Sequence, residues 1–398
     1  MLASRIGRIK PSASSTAAQR ARELKAQGHD IISLTQGEPD FPTPEHVKEA
    51  AYEAMRRDDT RYTNVDGTIE LKEAVCAKFR RENGLAYAPD EISVGTGGKQ
   101  VIYNALMATL DPGDEVIVPA PYWVSYTDMT VLAEGVPVEV PCAPGHKFKL
   151  LPEDLERAIT PRTRWLILNS PNNPSGATYT REELKALAAV LLRHPHVWVL
   201  ADDIYEHIIY DGFEFATIAE VEPQLCERTL TVNGVSKAYS MTGWRIGYAG
   251  GPKALIGAMA VLQSQSTNNP SSISQAAAVS ALTGPQEYVK GRTEIFRERR
   301  DAAVKILNTA PGISCSSPEG AFYVFASCAQ IMGRRTPQGQ ALRTDEDFVL
   351  YVLDAEGVAL VHGAAYGMSP YFRLSYGASL DEVKEGCRRI ARACERLS

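Results

Sequence analysis

The chain has 398 residues, with 42 Lys plus Arg against 48 Asp plus Glu, a formal charge of −6, and 44% apolar residues. At about 100–200 residues per domain, this length accommodates one large and one smaller domain with ample core, and it excludes an intrinsically disordered chain. The mild acidity is spread along the sequence and leaves no basic footprint for nucleic acid or anionic lipid, and no apolar run approaches the roughly 18–20 residues of a membrane span.

In chain order, the opening MLASRIGRIKPSAS carries two arginines and a lysine with no apolar block behind them, so it does not read as an export signal. A helical stretch is expected near Ala17 to Gln27. Short apolar runs at Ile92 to Val94, Val116 to Val118, Trp165 to Leu168, Val197 to Ala201, Thr229 to Val232 and Arg245 to Ala249 read as buried strands, with helical patterns between several of them. One helix is announced by Thr180-Arg-Glu-Glu183, where Thr180 and Glu183 can satisfy each other's orphan backbone donors ahead of LKALAAVLL. This alternation implies an α/β layer fold with a mostly parallel sheet.

From about Gln286 the texture changes to a long charged helix, RTEIFRERRDAAVKIL, then strands at Ala321 to Phe325, Val358 to Val361 and Phe372 to Tyr376 and a closing helix. The expected organisation is a large domain at 45–285 and a discontinuous α+β small domain made of 1–44 and 286–398. Seven scattered cysteines form no Cys-x-x-Cys pair, which fits a reducing cytoplasm and an unexported, soluble protein. His194-Pro-His196 lacks a surrounding ligand set, so no metal site is expected.

Four segments carry chemistry. Gly95-Thr-Gly-Gly-Lys-Gln100 lies between a strand and a helix, where backbone N–H groups can approach a phosphate, although a tight turn explains the glycines as well. Val235-Ser-Lys-Ala-Tyr-Ser-Met-Thr-Gly-Trp-Arg245 sets Lys237 among small and hydroxyl residues with Arg245 eight positions on. A partly buried lysine beside a guanidinium can supply the free amine that a Schiff base needs, whereas a solvated surface charge is the plain alternative. Ser170-Pro-Asn-Asn-Pro-Ser-Gly176 holds an amide at the carboxyl edge of the sheet, and Asp202 ends an apolar run, a costly place for a carboxylate without a cationic partner. Pro121-Tyr-Trp123 offers an aromatic face. A turn, a charge pair and a core tryptophan would explain these singly, but their convergence on neighbouring strand ends is much harder to ascribe to chance.

Together with GEPDF at 37–41, GTGGKQ, PYWVSY, NNPSG, DDIYEH, SKAYSMTGWRIGY, PEGAFYV and FRLSYG, these segments make the chain resemble the class I aminotransferases, pyridoxal-phosphate enzymes of fold type I, and their bacterial aspartate aminotransferase subgroup. The resemblance implies a mostly parallel seven-stranded sheet flanked by helices, with a smaller α+β domain. It implies that Lys237 binds pyridoxal 5′-phosphate and moves a proton between the substrate Cα and the cofactor. Asp202 would pair with the pyridine nitrogen, Tyr205 and Asn173 would donate to the ring oxygen, and Trp123 would stack on the ring. Arg245 and the amides of Gly98 and Lys99 would hold the phosphate. Tyr62 would reach a neighbouring subunit's phosphate, in a homodimer with shared active sites.

By the same resemblance, Arg373 would grip the substrate α-carboxylate with help from the Gly37 N–H. Lys99, with Ser12 and Ser14, would take a distal carboxylate, and Lys10 matches a lysine associated with prephenate use, although a solvated N-terminal charge explains it equally. Ser14 replaces a frequent threonine, and Asn64 and Asp66 in YTNVDG depart from the usual pattern beside Tyr62. The implied activity is amino-group transfer from aspartate or glutamate to 2-oxoglutarate or another 2-oxo acid. An aromatic-preferring transaminase, a decarboxylase or a β-lyase on the same fold is the alternative, and a cofactor-sensing regulator is a reading of a different class.

Overall fold

The computed structural model describes residues 2–398. Strand β1 (Ile32–Ser33) precedes seven strands, β2 (Ile92–Gly95), β3 (Glu115–Ala120), β4 (Val136–Pro141), β5 (Thr163–Asn169), β6 (Trp198–Asp202), β7 (Thr229–Gly234) and β8 (Gly247–Gly250). These seven form one sheet in the order β2-β8-β7-β6-β5-β3-β4, in which only β8 runs against the others. Strand β5 shows why the sheet is interior. Trp165 and Ile167 pack into one apolar cluster and Leu166 and Leu168 into another, as the two-residue period of a strand requires when helices cover both faces. Helix Gly98–Thr109 covers the first face, with Val101 and Leu106, and helix Arg181–Arg193 covers the second, with Leu184, Leu187 and Leu191.

The expected capping box starts the second of these helices: Thr180 Oγ1 accepts the Glu183 N–H at 3.2 Å, and Glu183 Oε2 accepts the Thr180 N–H at 2.7 Å. Strand β4 carries no sequence expectation. Its VPVEVP run lies at the sheet edge, where Pro137 and Pro141 cost no central ladder bonds, and its exposed face breaks the apolar pattern that marks a buried strand.

Beyond helix Glu287–Leu307 come β9 (Tyr323–Ser327), β10 (Val358–Ala359), β11 (Val361–His362) and β12 (Tyr371–Ser375). The run expected as one strand from Val358 to Val361 divides at Leu360: β10 pairs in parallel with β1, whereas β11 joins β12 and β9 in an antiparallel sheet. Helix Leu380–Glu395 buries Val383, Cys387, Ile390 and Cys394 at helical spacing against this part of the molecule. The same cluster takes in Ile32 and, from the other side, Tyr205 and Ile208. All seven cysteines are free thiols. Among the described residues no helix is long and apolar enough to cross a membrane.

Candidate active site

The carboxyl ends of the parallel strands, together with β9, β12 and the N-terminal segment, enclose a cavity of about 440 Å³. Strand β6 ends in Asp202, β5 leads through Asn169 to Asn173, β3 leads to Trp123, β7 leads to Lys237, and β2 leads to Gly98 and Lys99. This is the crevice where open α/β sheets bind ligands. The β5–β6 register sets Asn169 opposite Asp202, so Asn169 Nδ2 donates to the Asp202 carbonyl at 2.8 Å while its Oδ1 accepts the Asn173 N–H at 2.8 Å.

Asp202 is buried, and its side-chain partner within the chain is neutral: Tyr126 Oη donates to Oδ2 at 2.6 Å. Burial pushes the Asp202 carboxyl up, and the Tyr126 hydroxyl, the Ile204 N–H and the Lys237 charge offset this only in part. The site therefore favours a further cationic donor at that carboxylate. Tyr205 Oη meets Tyr323 Oη at 2.7 Å. Lys237 Nζ donates to the Gly37 carbonyl at 2.5 Å, above the Tyr205 ring at 5.7 Å. Burial, Arg373 and Arg245 lower the Lys237 pKa to about 8, which leaves about a tenth of the amine unprotonated at pH 7. Gly37 is required here by space, since a Cβ would lie 2.5 Å from Tyr323 Oη.

Arg373 is 2% exposed and lies above the rings of Tyr323 and Tyr366, at 4.6 and 5.2 Å. Its Nη1 donates to Asn173 Oδ1 at 3.0 Å and its Nη2 to the Thr35 carbonyl, while Nε has no partner. Among the described residues no carboxylate lies within ion-pair distance of it, so this buried guanidinium calls for an anion from outside the chain.

At the other end of the cavity, Arg245 adopts a left-handed backbone conformation (φ 56°), which delays the strand expected from Arg245 so that β8 begins at Gly247. Its guanidinium donates to the carbonyls of Thr242 and Thr96. It packs against Gly97, where a Cβ would meet Nη2 at 2.3 Å. Helix Gly98–Thr109 starts at that point with no side-chain cap, which leaves its first amides facing the cavity beside a guanidinium. Lys99 stands at the cavity rim, partly solvated, with Nζ 4.8 Å from the Trp123 ring, and partial desolvation by the surrounding walls together with the Arg245 charge lowers its pKa.

The sequence profile described as "Aminotransferase class I and II" matches residues 29–390. The chain belongs to this aminotransferase family. It is 59% identical over 396 residues to a Rhizobium meliloti (strain 1021) protein named aspartate aminotransferase, covering 100% of this chain and 97% of that one. It is 55% identical over 397 residues to an aspartate/prephenate aminotransferase of Cereibacter sphaeroides, covering 100% and 99%. Among solved structures, the aspartate aminotransferase of Rhizobium meliloti superposes with a TM-score of 0.97 at 58% identity over the whole of both chains. The Thermus thermophilus aspartate aminotransferase with maleate superposes with a TM-score of 0.92 at 45% identity, over 99% of each.

In this aminotransferase the cavity gathers Gly37, Gly98, Lys99, Trp123, Asn173, Asp202, Tyr205, Lys237, Arg245 and Arg373. Ser12 and Ser14 also line it, from the start of helix Ala13–Ala26. Ser12 is the helix N-cap residue, yet its hydroxyl caps nothing, and Ser14 Oγ lies 3.2 Å from Tyr366 Oη. Two expected site residues lie elsewhere. Tyr62 is 87% exposed and outside the cavity, and Lys10 is an exposed residue near Asp128.

Sequence reasoning missed Tyr126, Asn169, Tyr323 and Arg22. Tyr126 follows Trp123 at helical i,i+3 spacing within the quoted PYWVSY, which is the signal that was available. Arg22 shares a helix face with Ser14, Ser15 and Ala18, and all four line the cavity. Among the described residues it has no carboxylate partner, and it donates to Gln19 Oε1 at 2.8 Å.

Proposed function

We propose that this aminotransferase uses pyridoxal 5′-phosphate to move the amino group of aspartate or glutamate to 2-oxoglutarate or another 2-oxo acid in a ping-pong cycle. The observation that carries the reading is the placement of Lys237, an amine with a pKa near 8, between a buried carboxylate without a cation and a buried guanidinium without an anion. The residues fit the cofactor: Asp202 would hold its ring nitrogen, Tyr205 and Asn173 its ring oxygen, Trp123 its face, and Arg245 with the Gly98 and Lys99 amides its phosphate. When bound, pyridoxal phosphate supplies an aldehyde that captures the substrate amine and an electron-withdrawing ring that acidifies the attached Cα–H.

The chain's own residues supply the rest. Asp202, held by Tyr126, keeps a proton on the ring nitrogen. Arg373 would fork onto the α-carboxylate and so turn the Cα–H bond toward Lys237, whose Nζ would take that proton and deliver it to the cofactor carbon on the far side of the shared nitrogen. With Arg245 assigned to phosphate and Arg373 to the α-carboxylate, Lys99 and Arg22 are the lining cations left for a second carboxylate, beside the hydroxyls of Ser12 and Ser14. A dicarboxylic substrate fits that arrangement. The Thermus relative carrying maleate and the relatives named for prephenate support it, and they make prephenate a second acceptor to test. The outlying Tyr62 supports a homodimer in which it completes the partner's phosphate site. The units 45–285 and 1–44 with 286–398 would be the two domains, in a cytoplasmic protein.

Aspartate added to the cofactor-loaded protein without acceptor should release one oxaloacetate per site and bleach the visible band. Release of ammonia and pyruvate from a donor with a β leaving group, such as cystathionine losing its homocysteine thiolate, with the visible band retained, would identify a β-lyase instead.

A further inference from the structure

Beneath Tyr205, on the side away from the cavity, lies a second polar cluster. Glu206 is buried, and its carboxylate takes hydrogen bonds from Lys78 Nζ, from Asn83 Nδ2 at 2.7 Å and from Asn233 Nδ2 at 2.8 Å. Lys78 is wholly buried. It also donates to Asn83 Oδ1 at 2.7 Å and lies 3.5 Å from Glu82, which in turn holds His207 Nε2 at 2.9 Å. Glu82, Glu206 and His207 alone would resemble a metal-ligand set. The Lys78 ammonium, bonded to Glu206 and close to Glu82, already serves as their cation.

Burial by itself would raise the Glu206 carboxyl, yet Lys78, His207 and Asn83 bring it below the usual carboxylate range. A buried pair such as Lys78 with Glu206 contributes little net stability compared with well-packed apolar side chains, but each ion fixes its partner's position closely.

Three pieces of chain meet there. Lys78, Glu82 and Asn83 belong to the last turns of helix Ile69–Asn83. Glu206 directly follows Tyr205 in the turn that Asp202 opens, and Asn233 sits near the end of β7, four residues before Lys237. Asn233 Oδ1 also accepts the Gly234 N–H at 2.8 Å, and the Asp203 N–H donates to the Val232 carbonyl at 2.9 Å. None of Lys78, Asn83, Glu206 or Asn233 lines the cavity.

We infer that Lys78, Asn83, Glu206 and Asn233 form a positioning network that sets the height and angle at which Asp202, Tyr205 and Lys237 present their side chains to the bound cofactor. The inference rests on the roles proposed above for those three residues. The network takes no part in proton transfer. It fixes the turn and the strand end to the same helix, so that the distance between the ring-nitrogen acid and the amine does not drift.

The test uses the full-length, cofactor-loaded protein carrying Lys78→Met with Glu206→Gln, which removes both charges together, and separately Asn83→Ala and Asn233→Ala, which leave the ion pair in place. Three quantities are measured: the pH titration of the visible chromophore, kcat and KM for aspartate, and hydrogen exchange of peptides spanning 202–207 and 233–237. The double variant should shift the chromophore pKa by at least about 0.5 unit and lower kcat about tenfold or more with KM changed less than about threefold. Exchange should quicken in both peptides. Each asparagine variant should move the same readouts in the same direction by about twofold to fourfold.

Folded asparagine variants with wild-type chromophore titration and kcat would overturn the inference even if the double variant failed to fold. So would a double variant altered only in melting temperature. Failure of the underlying reading is seen separately, as a chromophore unaffected by Asp202→Asn.

Discussion

The floor and the mouth of the cavity are built on different terms. On the floor, Asp202, Tyr205, Asn173 and Arg373 are buried, and Tyr126, Tyr323, Asn169 and Thr35 already fix their positions. At the mouth, Arg22, Gln36, Glu38, Lys99 and Arg245 are exposed, and the helix bearing Ser12, Ser14 and Arg22 comes from the N-terminal segment. Buried groups held in place by protein partners keep a geometry at no cost at the moment of reaction, whereas solvated cations can rearrange around different substrates. On the roles proposed above, the chemistry belongs to the floor and the choice of substrate to Ser12, Ser14, Arg22 and Lys99 at the mouth, where Arg245 serves the phosphate.

The hardest break of that division is Lys237→Ala. It should lower turnover about 10⁴-fold or more and abolish the borohydride-fixable attachment of cofactor, as read by peptide mapping. Near-normal rates would end the assignment.

Next comes Arg373→Ala, which on the role proposed above would deprive every amino-acid donor of its α-carboxylate anchor. It should cost about 2–5 kcal/mol in kcat/KM, equally for acidic and aromatic donors. A loss confined to aspartate would move Arg373 from the floor's task to the mouth's.

Tyr126→Phe tests the floor more finely. Removing one hydrogen bond to a charged carboxylate should lower kcat about tenfold and leave KM nearly unchanged, because the bond supports Asp202 and not the substrate. At the mouth, Lys99→Ala should raise KM for aspartate about tenfold and Arg22→Ala about threefold, with little change for an aromatic donor and with effects that shrink in high salt. Equal effects on both donors would remove these cations from selection.

The smallest effect concerns pH. In the cofactor-free protein the folded-state pKa of Lys237 is lowered to about 8 from an ordinary value of 10.5. The charged amine therefore destabilises the fold below pH 8, and the penalty is lifted as pH rises from 8 to 10.5, where the unfolded chain binds the extra proton. Lys237→Met should accordingly melt higher than the parent at pH 7, by about 1–4 °C, and the gap should close by pH 10.5. A gap that widened with pH would contradict the sign.

Much of the floor was legible in the sequence because its residues stand at strand ends, and strand ends are marked by apolar runs that stop abruptly. The runs ending near Asp202, Ser170 and Gly234 predicted the crevice before any pairing was known. Tyr126 and Tyr323 were not legible as site residues, since an aromatic residue on a helix or strand reads equally well as core until its hydroxyl is seen to meet Asp202 or Tyr205. The edge strand β4 and the division of 358–361 between two sheets escaped for a related reason. Edge exposure and partner choice depend on which chain segment lies alongside, and local pattern does not encode that.

The sequence by itself determined the α/β layering, because periodicity and strand-end composition are local properties, and its motifs carried the resemblance that implied the family and the residue types the chemistry needs. Only the tertiary structure decided that Asp202 rests on a tyrosine and not on a cation, that Arg373 lies buried without a counter-ion, and that Arg22 faces the cavity. Burial and charge balance arise from segments 76 to 338 residues apart, and they take their values only when those segments are packed together.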